Sequence, residues 1–498
     1  MDDNGWEAVR IADLAQSSDL NIPAWTAASR RPPDLLAKLD SPTQRCVKEL
    51  DAASSSKDTD QPSQDLYRRA IWAPDGSSIL AITESQQKHI LRCSSSGVIE
   101  RMAEYKSPSP NLDAVWYPVP AIEQSSDPNT THTSAPTLPT WCFAESHRDL
   151  PIRLTCSNDG RTRASYSIMN HVEKFVGPHS LAFSPDLSRL YCGFYSSLAV
   201  FPLSRPGLNS HSHVPLISNK RSIGGQRGII SALATWPHPS EPGSHELVAV
   251  GTLSGTVGVY DLIPASFPEP TEHIATPTAT SDGQESLAQS SLLAGWSEIE
   301  GDGITQLKFH PLTPYVLFVA SRRSDYIYVY DVRYLMGDTS RWMFKPLARA
   351  AAGVRSAHLL AKLPRHGGAS HQRMHFDVDW AGRWLASGDE NGKIHLWRID
   401  TGRFMDQSED ETSGAEDEPL ELKPDFDWKA HEDTVGSVSF HPYQPWLASV
   451  SGSRRWPQAG AASDSEDFDE SSKRRPAWTT NDSSLNIWDF SHPPISAC

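Results

Sequence analysis

The chain has 498 residues, among them 38 Pro, 30 Gly and 16 Trp, and a net charge of −16. No window approaches 18 consecutive apolar residues and the opening MDDNGWEAVR is acidic, which argues against a membrane span or an export signal and for a soluble protein. Six scattered cysteines without a C-x-x-C pair argue against a zinc site or a disulfide framework and for a reducing compartment.

Taken in chain order, residues 1–64 read as a largely disordered N-terminal segment; Asp51–Gln64 has no apolar residue beyond two Ala. From Leu66 a unit recurs. An apolar strand closes in a turn of the form F/W-x-P, a second strand ends in small residues, and a third ends in an aromatic residue and Asp. The copies are RRAIWAPDGSSILAITESQQKHILRC, a weaker LDAVWYPVP…TWCFAESHRDLPIRLTC, HSLAFSPDLSRLYCGFYSSLAVFPL, ISALATWPHPSEPGSHELVAVGTLSGTVGVYDL, ITQLKFHPLTPYVLFVASRRSDYIYVYDVR, MHFDVDWAGRWLASGDENGKIHLWRID and VGSVSFHPYQPWLASVSG…SSLNIWDF. Alternation of apolar and polar residues within each run is the strand period.

Seven such copies predict an all-β chain, a seven-bladed WD40 β-propeller over 65–491, with a C-terminal tail at 492–498. Insertions enlarge it at 122–138, 263–300, 401–427 and 455–480, with further loops at 205–226 and 334–372. Without them about 37 residues remain per blade against the usual 40–45, so inserts must supply outer strands. VPLISN, RWMFKPL and DFDWKAH are the candidates, and 23–29 (PAWTAAS) is the candidate for a strand closing the ring.

Charge is distributed unevenly. Residues 401–427 hold ten acids against Arg403 and Lys423, and 464–470 hold five acids and no base; the remainder of the chain carries only −3. KRRP at 473–476 is a candidate nuclear import signal.

No nucleophile motif, phosphate loop or metal-ligand spacing rises above chance, so the chain is expected to be no enzyme and to carry no cofactor or metal. GTLSGTVGVY has three Gly but lies at a β-hairpin rather than between a strand and a helix. His431, Asp482 and Trp488 fit the His–Ser/Thr–Asp–Trp hydrogen-bond set that braces a WD40 blade; on paper they resemble a catalytic triad, but satisfied buried polar groups are what a propeller needs.

In a propeller, the segments before inner strands and the hairpins between second and third strands open on one face. Here they carry Arg68, Arg69, Lys88, His147, Arg148, Phe194, Tyr195, Arg227, Arg322, Arg323, Arg373, Arg454, Arg455 and Trp456. Arginine interspersed with exposed aromatics suits single-stranded RNA, by phosphate neutralisation and by stacking on splayed bases. Acids share the rim (Glu84, Glu145, Asp149, Asp302, Asp389, Glu390), and a mixed surface for protein partners is the competing reading.

Several stretches in order, RTRASYSIMNHVEKFVGPHSLAFSPDLSRLYCGF…AVFPLSRPG, GQRGIISAL, DGITQLKFHP, ASRRSDYIYVYDVR, HFDVDWAGRWLASGDENGKIHLW and HPYQPWLASVSGSRRWP, resemble the telomerase Cajal body protein 1 family, WD40 proteins that include fungal members linked to pre-mRNA splicing. The resemblance covers roughly Leu66–Phe490, and FPLSRPG then matches the family's own blade ending rather than a decayed repeat. It implies a nuclear, non-catalytic ribonucleoprotein scaffold, with some cytoplasmic pool, that binds small nuclear RNA of the small Cajal body or telomerase type. It also implies ribonucleoprotein or spliceosomal protein partners and chaperonin-assisted folding, and no membrane. An RNA-independent adaptor in a splicing or chromatin complex is the alternative.

Overall fold

A computed structural model describes residues 32–42, 65–120, 140–217, 225–237, 246–263, 289–297, 299–313, 315–332, 358–399, 419–456 and 478–491. Every regular element among them is a strand, and the strands form seven antiparallel-cored sheets arranged as the blades of a propeller. Blade 1 is Tyr67–Trp72, Ile79–Thr83, Gln87–Cys93 and Ile99–Lys106; blade 2 is Asn111–Trp116, Cys142–His147, Ile152–Cys156 and Thr162–Ser167. Blade 3 runs Ser180–Phe183, Arg189–Gly193, Ser197–Pro202 and Ser212–Pro215; blade 4 runs Ile230–Pro237, Glu246–Thr252, Val257–Ile263 and Gln289–Trp296. Blade 5 is Ile304–Phe309, Val316–Ser321, Tyr326–Asp331 and His358–Pro364, and blade 6 is Asp377–Val378, Trp384–Gly388, Lys393–Arg398 and Phe426–Lys429. Blade 7 takes Val435–Phe440, Trp446–Ser451 and Leu485–Asp489 from the end of the chain and Asp34–Leu39 from its beginning.

That last strand corrects the expected closure. The ring is closed by DLLAKL, paired antiparallel from Asp34↔Asp489 to Leu39↔Leu485, with Ala37 and Leu39 buried against Tyr67, Trp72, Ala448 and Ile487. Residues 23–29 lie outside the described residues, as do 51–64, most of the inserts, 473–476, the tail from 492 and the outer-strand candidate RWMFKPL. Blade 5 takes His358–Pro364 as its outer strand, while VPLISN overlaps the outer strand of blade 3 and DFDWKAH that of blade 6. Segment 263–300 likewise contains the outer strand of blade 4.

The small residues ending second strands have a packing cause. A Cβ added at Gly251 would stand 2.5 Å from Ile304 Cγ2, and one at Gly388 would stand 2.2 Å from Val435 Cβ, each on the inner strand of the next blade. Adjacent blades approach too closely there for any side chain. The F-H-P turns act at the opposite ends of the inner strands. His310 Nε2 donates to Gly382 O at 2.8 Å and His441 Nε2 to Gly76 O at 3.2 Å, so each imidazole staples its blade to the next.

The loop beginning at FPLSRPG does more than turn. Gly207–Leu208 runs back to pair parallel with Tyr166–Ser167, adding a fifth strand to blade 2, and Tyr166 Oη donates to Leu203 O at 2.9 Å. Leu420–Glu421, at the end of the acidic insert, does the same for blade 5 by pairing with Ala361–Lys362. Both connections leave the third strand of one blade and clasp the outer edge of the preceding blade, covering an edge that would otherwise be open.

Candidate functional site

One mouth of the central channel opens into a cavity of about 980 Å³. Its wall comes from the starts of the inner strands of blades 1 and 2, the connector 369–375 into blade 6, and the hairpins of blades 1, 6 and 7. Six of the expected rim residues line it: Arg68, Arg69, Arg373, Arg454, Arg455 and Trp456. They are distant in sequence and meet because each lies at the same end of an inner or second strand.

Most of these guanidinium groups are held by carboxylates. Glu84 takes Arg68 Nε on one oxygen and Arg454 Nη2 on the other. Arg69 Nη1 lies 2.9 Å from Asp113 Oδ1 and donates to Ala114 O at 3.2 Å, while Asp113 Oδ2 accepts Leu181 N at 2.9 Å, so one carboxylate ties blades 1, 2 and 3 together. Arg455 Nη2 reaches Asp433 Oδ1 at 3.1 Å. Burial alone would raise the Asp433 pKa, but hydrogen bonds from Arg455, Ser453, Thr434 and Asn481 win and hold it below the ordinary carboxylate value. Trp456 presents an exposed indole beside these cations.

Arg373 differs. It makes no hydrogen bond or ion pair among the described residues, and its side chain is exposed to the water of the mouth. Partial desolvation by the surrounding wall lowers its pKa; the field of Asp113 opposes that shift, and the positive fields of Arg69 and Arg322 add to it. His375 beside it is driven well below the ordinary imidazole value by burial, then by Arg69, Arg373 and Arg365. His179 is lowered by burial and by Arg373 and Arg148. The field of Arg322 therefore reaches the mouth although that residue does not line it.

The other rim candidates lie apart from the cavity wall. Arg148 is exposed in the blade 2 hairpin. Arg323 pairs with Asp302 Oδ2 at 3.1 Å, and Arg322 Nη2 donates to Asp302 O at 3.3 Å. Tyr195, 66% exposed, and Arg227 form a separate group at blades 3 and 4, joined by the Tyr195↔Ile229 bridge. Lys88 is a correction. Only 2% exposed, it lies between blades 1 and 2, paired with Glu145 and 3.1 Å from His147 Nε2. Its strand position turns it inward, and the readable signal was Glu145, an acid inside the wholly buried CFAESH strand. His147 and Glu145 leave the rim with it.

The structure brings His431, Asp482 and Trp488 into one chain of hydrogen bonds and adds Ser449. Trp488 Nε1 donates to Ser449 Oγ at 2.8 Å; Ser449 Oγ lies 2.7 Å from His431 Nε2; and His431 Nδ1 lies 3.2 Å from Asp482 Oδ2. Ser449 is wholly buried and His431 nearly so, leaving no path for a substrate to the hydroxyl. Burial lowers the His431 pKa against the pull of Asp482, so the imidazole is neutral and the hydroxyl bridges two rings. Sequence reasoning missed Ser449, Asp113 and His375. A small hydroxyl residue near the end of a second strand was the available signal for the first; Asp113 lies within an inner strand and His375 flanks one, neither with a motif.

Among the described residues no group of three or more His, Cys, Asp or Glu side chains is set to hold a metal, and no helix is long and apolar enough to cross a membrane.

Comparison with known proteins fits this architecture. The family model "WD domain, G-beta repeat" matches residues 422–455, which run from the outer strand of blade 6 into blade 7 and so are offset from the blade by one strand. Telomerase Cajal body protein 1 of Mesocricetus auratus is 29% identical over 80% of this chain and 60% of its own length; that of Homo sapiens is 27% identical over 83% and 61%. The guanine nucleotide-binding protein negative regulator 1 of Schizosaccharomyces pombe is 26% identical over 67% of this chain and 70% of its own. The chain thus spans about 60% of the length of the Cajal body relatives it matches. Its described residues form a seven-bladed propeller carrying a WD-repeat match at 422–455, and through most of its length the chain is similar to the telomerase Cajal body protein 1 family.

Proposed function

We propose that this protein is a non-catalytic scaffold of nuclear ribonucleoproteins, binding a small nuclear RNA of the small Cajal body or telomerase type at the channel mouth and serving telomerase assembly or pre-mRNA splicing. The observation that carries the reading is the convergence of Arg68, Arg69, Arg373, Arg454 and Arg455 with the exposed Trp456 on one cavity. Guanidinium groups fit phosphate oxygens as forks, and a free indole offers a stacking surface for an unpaired base. The names of the mammalian relatives support a ribonucleoprotein setting and a nuclear location, with ribonucleoprotein or spliceosomal proteins on other surfaces.

Ultraviolet crosslinking followed by RNA sequencing tests it: small nuclear RNAs are enriched, and recovery at background overturns the proposal. In binding assays, Arg373→Ala combined with Arg454→Ala lowers affinity and flattens the salt dependence by up to about 0.7 log unit for each single-strand phosphate no longer neutralised. An unchanged slope removes these residues from the interface.

A second reading, an RNA-independent adaptor, is favoured by the ion pairs that already occupy Arg68, Arg323, Arg454 and Arg455. It predicts that protein partners co-purify unchanged after nuclease treatment.

A further inference from the structure

Five arginines meet at the mouth against four carboxylates, Asp113 and Glu390 in its wall and Glu84 and Asp433 behind it, which leaves one positive charge unanswered. Asp113 is the acid whose field reaches Arg373, yet both its oxygens are engaged: Oδ1 by Arg69 and by Ala114 N at 2.9 Å, Oδ2 by Leu181 N. Arg365, 2% exposed at the root of the same connector, donates only to neutral groups: Met374 O at 3.0 Å, Ser321 O at 3.2 Å and Ser387 Oγ at 3.3 Å. Around them four polar atoms are sealed from solvent without a hydrogen-bond partner: Asn111 Nδ2, Arg322 Nε, Arg365 Nε and His375 Nδ1. Asn111 and His375 line the cavity with Arg69 and Arg373.

A buried guanidinium held by neutral acceptors alone, as Arg365 is, is costly, because charges are taken from water only when paired. Chance clustering on a solvated surface does not produce it, since the inner strands and the 365–376 connector fix these side chains against one another. What satisfies such a set is an anion with several acceptor oxygens.

We propose that the mouth is a phosphate-binding site in which Arg373, supported by Arg69, Asn111 and His375, clamps one phosphoryl group. The phosphoryl group is a free phosphate or phosphate monoester in one case, and a phosphate of an RNA strand in the other. The site goes beyond the ribonucleoprotein reading and stands without it.

The test uses the full-length protein. Inorganic phosphate is titrated by calorimetry at constant ionic strength with chloride as the balancing anion, against wild type, Arg373→Ala, Arg373→Lys and the control Arg161→Ala. Arg161 sits on a hairpin between third and fourth strands, at the opposite face, paired with Asp159. Arg373 has no protein partner to lose, so its variants fold. Phosphate is expected to bind wild type and Arg161→Ala alike, to bind Arg373→Ala about tenfold or more weakly, and to bind the lysine variant between them.

A parallel titration uses a short oligoribonucleotide with and without a 5′-phosphate. A loss on Arg373→Ala confined to the oligonucleotide assigns the phosphoryl group to a strand. Phosphate binding that persists while small nuclear RNAs are recovered only at background leaves the site standing and removes the ribonucleoprotein reading. Arg373→Ala binding both probes as tightly as wild type, or wild type binding neither, overturns the proposal.

Discussion

Replacing Ser449 by alanine isolates the hydrogen-bond chain that braces blade 7. The hydroxyl accepts from Trp488 Nε1 at 2.8 Å and bonds His431 Nε2 at 2.7 Å, all three groups being buried. Its removal adds no bulk and opens a space smaller than a water, yet it strands a ring donor and a ring acceptor away from solvent. At about 1–3 kcal/mol for each of the two unsatisfied buried groups, Ser449→Ala is expected to cost about 2–6 kcal/mol. Trp488→Phe alone costs packing and one bond. In the double variant the stranded indole N–H is gone, so the two losses are less than additive by about 1 kcal/mol. Equilibrium urea unfolding followed by tryptophan fluorescence measures all three. A Ser449→Ala loss below about 0.5 kcal/mol, the level of an ordinary surface change, or a strictly additive double variant, refutes the bracing role.

Other expectations follow from burial and charge. Burial, with further contributions from neighbouring charges and carbonyls, places His89 at about 3, His147 at about 4 and His441 at about 4, against about 6.5 in the unfolded chain. The unfolded state therefore takes up protons first: stability holds above about pH 6.5 and falls steadily towards pH 4, which urea midpoints across that range read directly. A flat profile would show that these rings are not held neutral. In the closing strand, Leu39→Ala is expected to cost about 2–4 kcal/mol and Leu35→Ala, 47% exposed, less than about 0.5; equal losses in thermal melts would mean the strand does not dock in this register. Burial raises the thiols of Cys93 to about 11 and Cys142 to about 12, and Cys192 well above its usual value. Alkylation of native protein at pH 8 should leave all three unmodified until denaturant is added, as peptide mass mapping will show.

The blades were legible because most of them repeat cues that arise from one geometry. Gly251 and Gly388 are small because the next inner strand presses on them, and His310 and His441 follow an aromatic because they reach the neighbouring turn. The closing strand was not legible. DLLAKL carries the alternation of a half-buried strand, but its partner lies at the other end of the chain and no local signal names it. At the mouth, sequence reasoning found the arginines by topology alone and misplaced Lys88, since a basic residue on a third strand reads the same whether it faces water or Glu145. Asp113 and His375 stayed hidden because their roles depend on neighbours from three other blades.

The pairing of Asp34–Leu39 with Leu485–Asp489 sets an order of events. The ribosome delivers Asp34–Leu39 ahead of the other six blades and Leu485–Asp489 after them, so blade 7 stays incomplete while those blades emerge. Until then the ring is an open arc with two raw sheet flanks, a nascent form vulnerable to self-association. Folding of such a chain is governed by how long that arc is shielded, and a substitution that merely slows the final docking would lower yield in cells without altering the finished molecule.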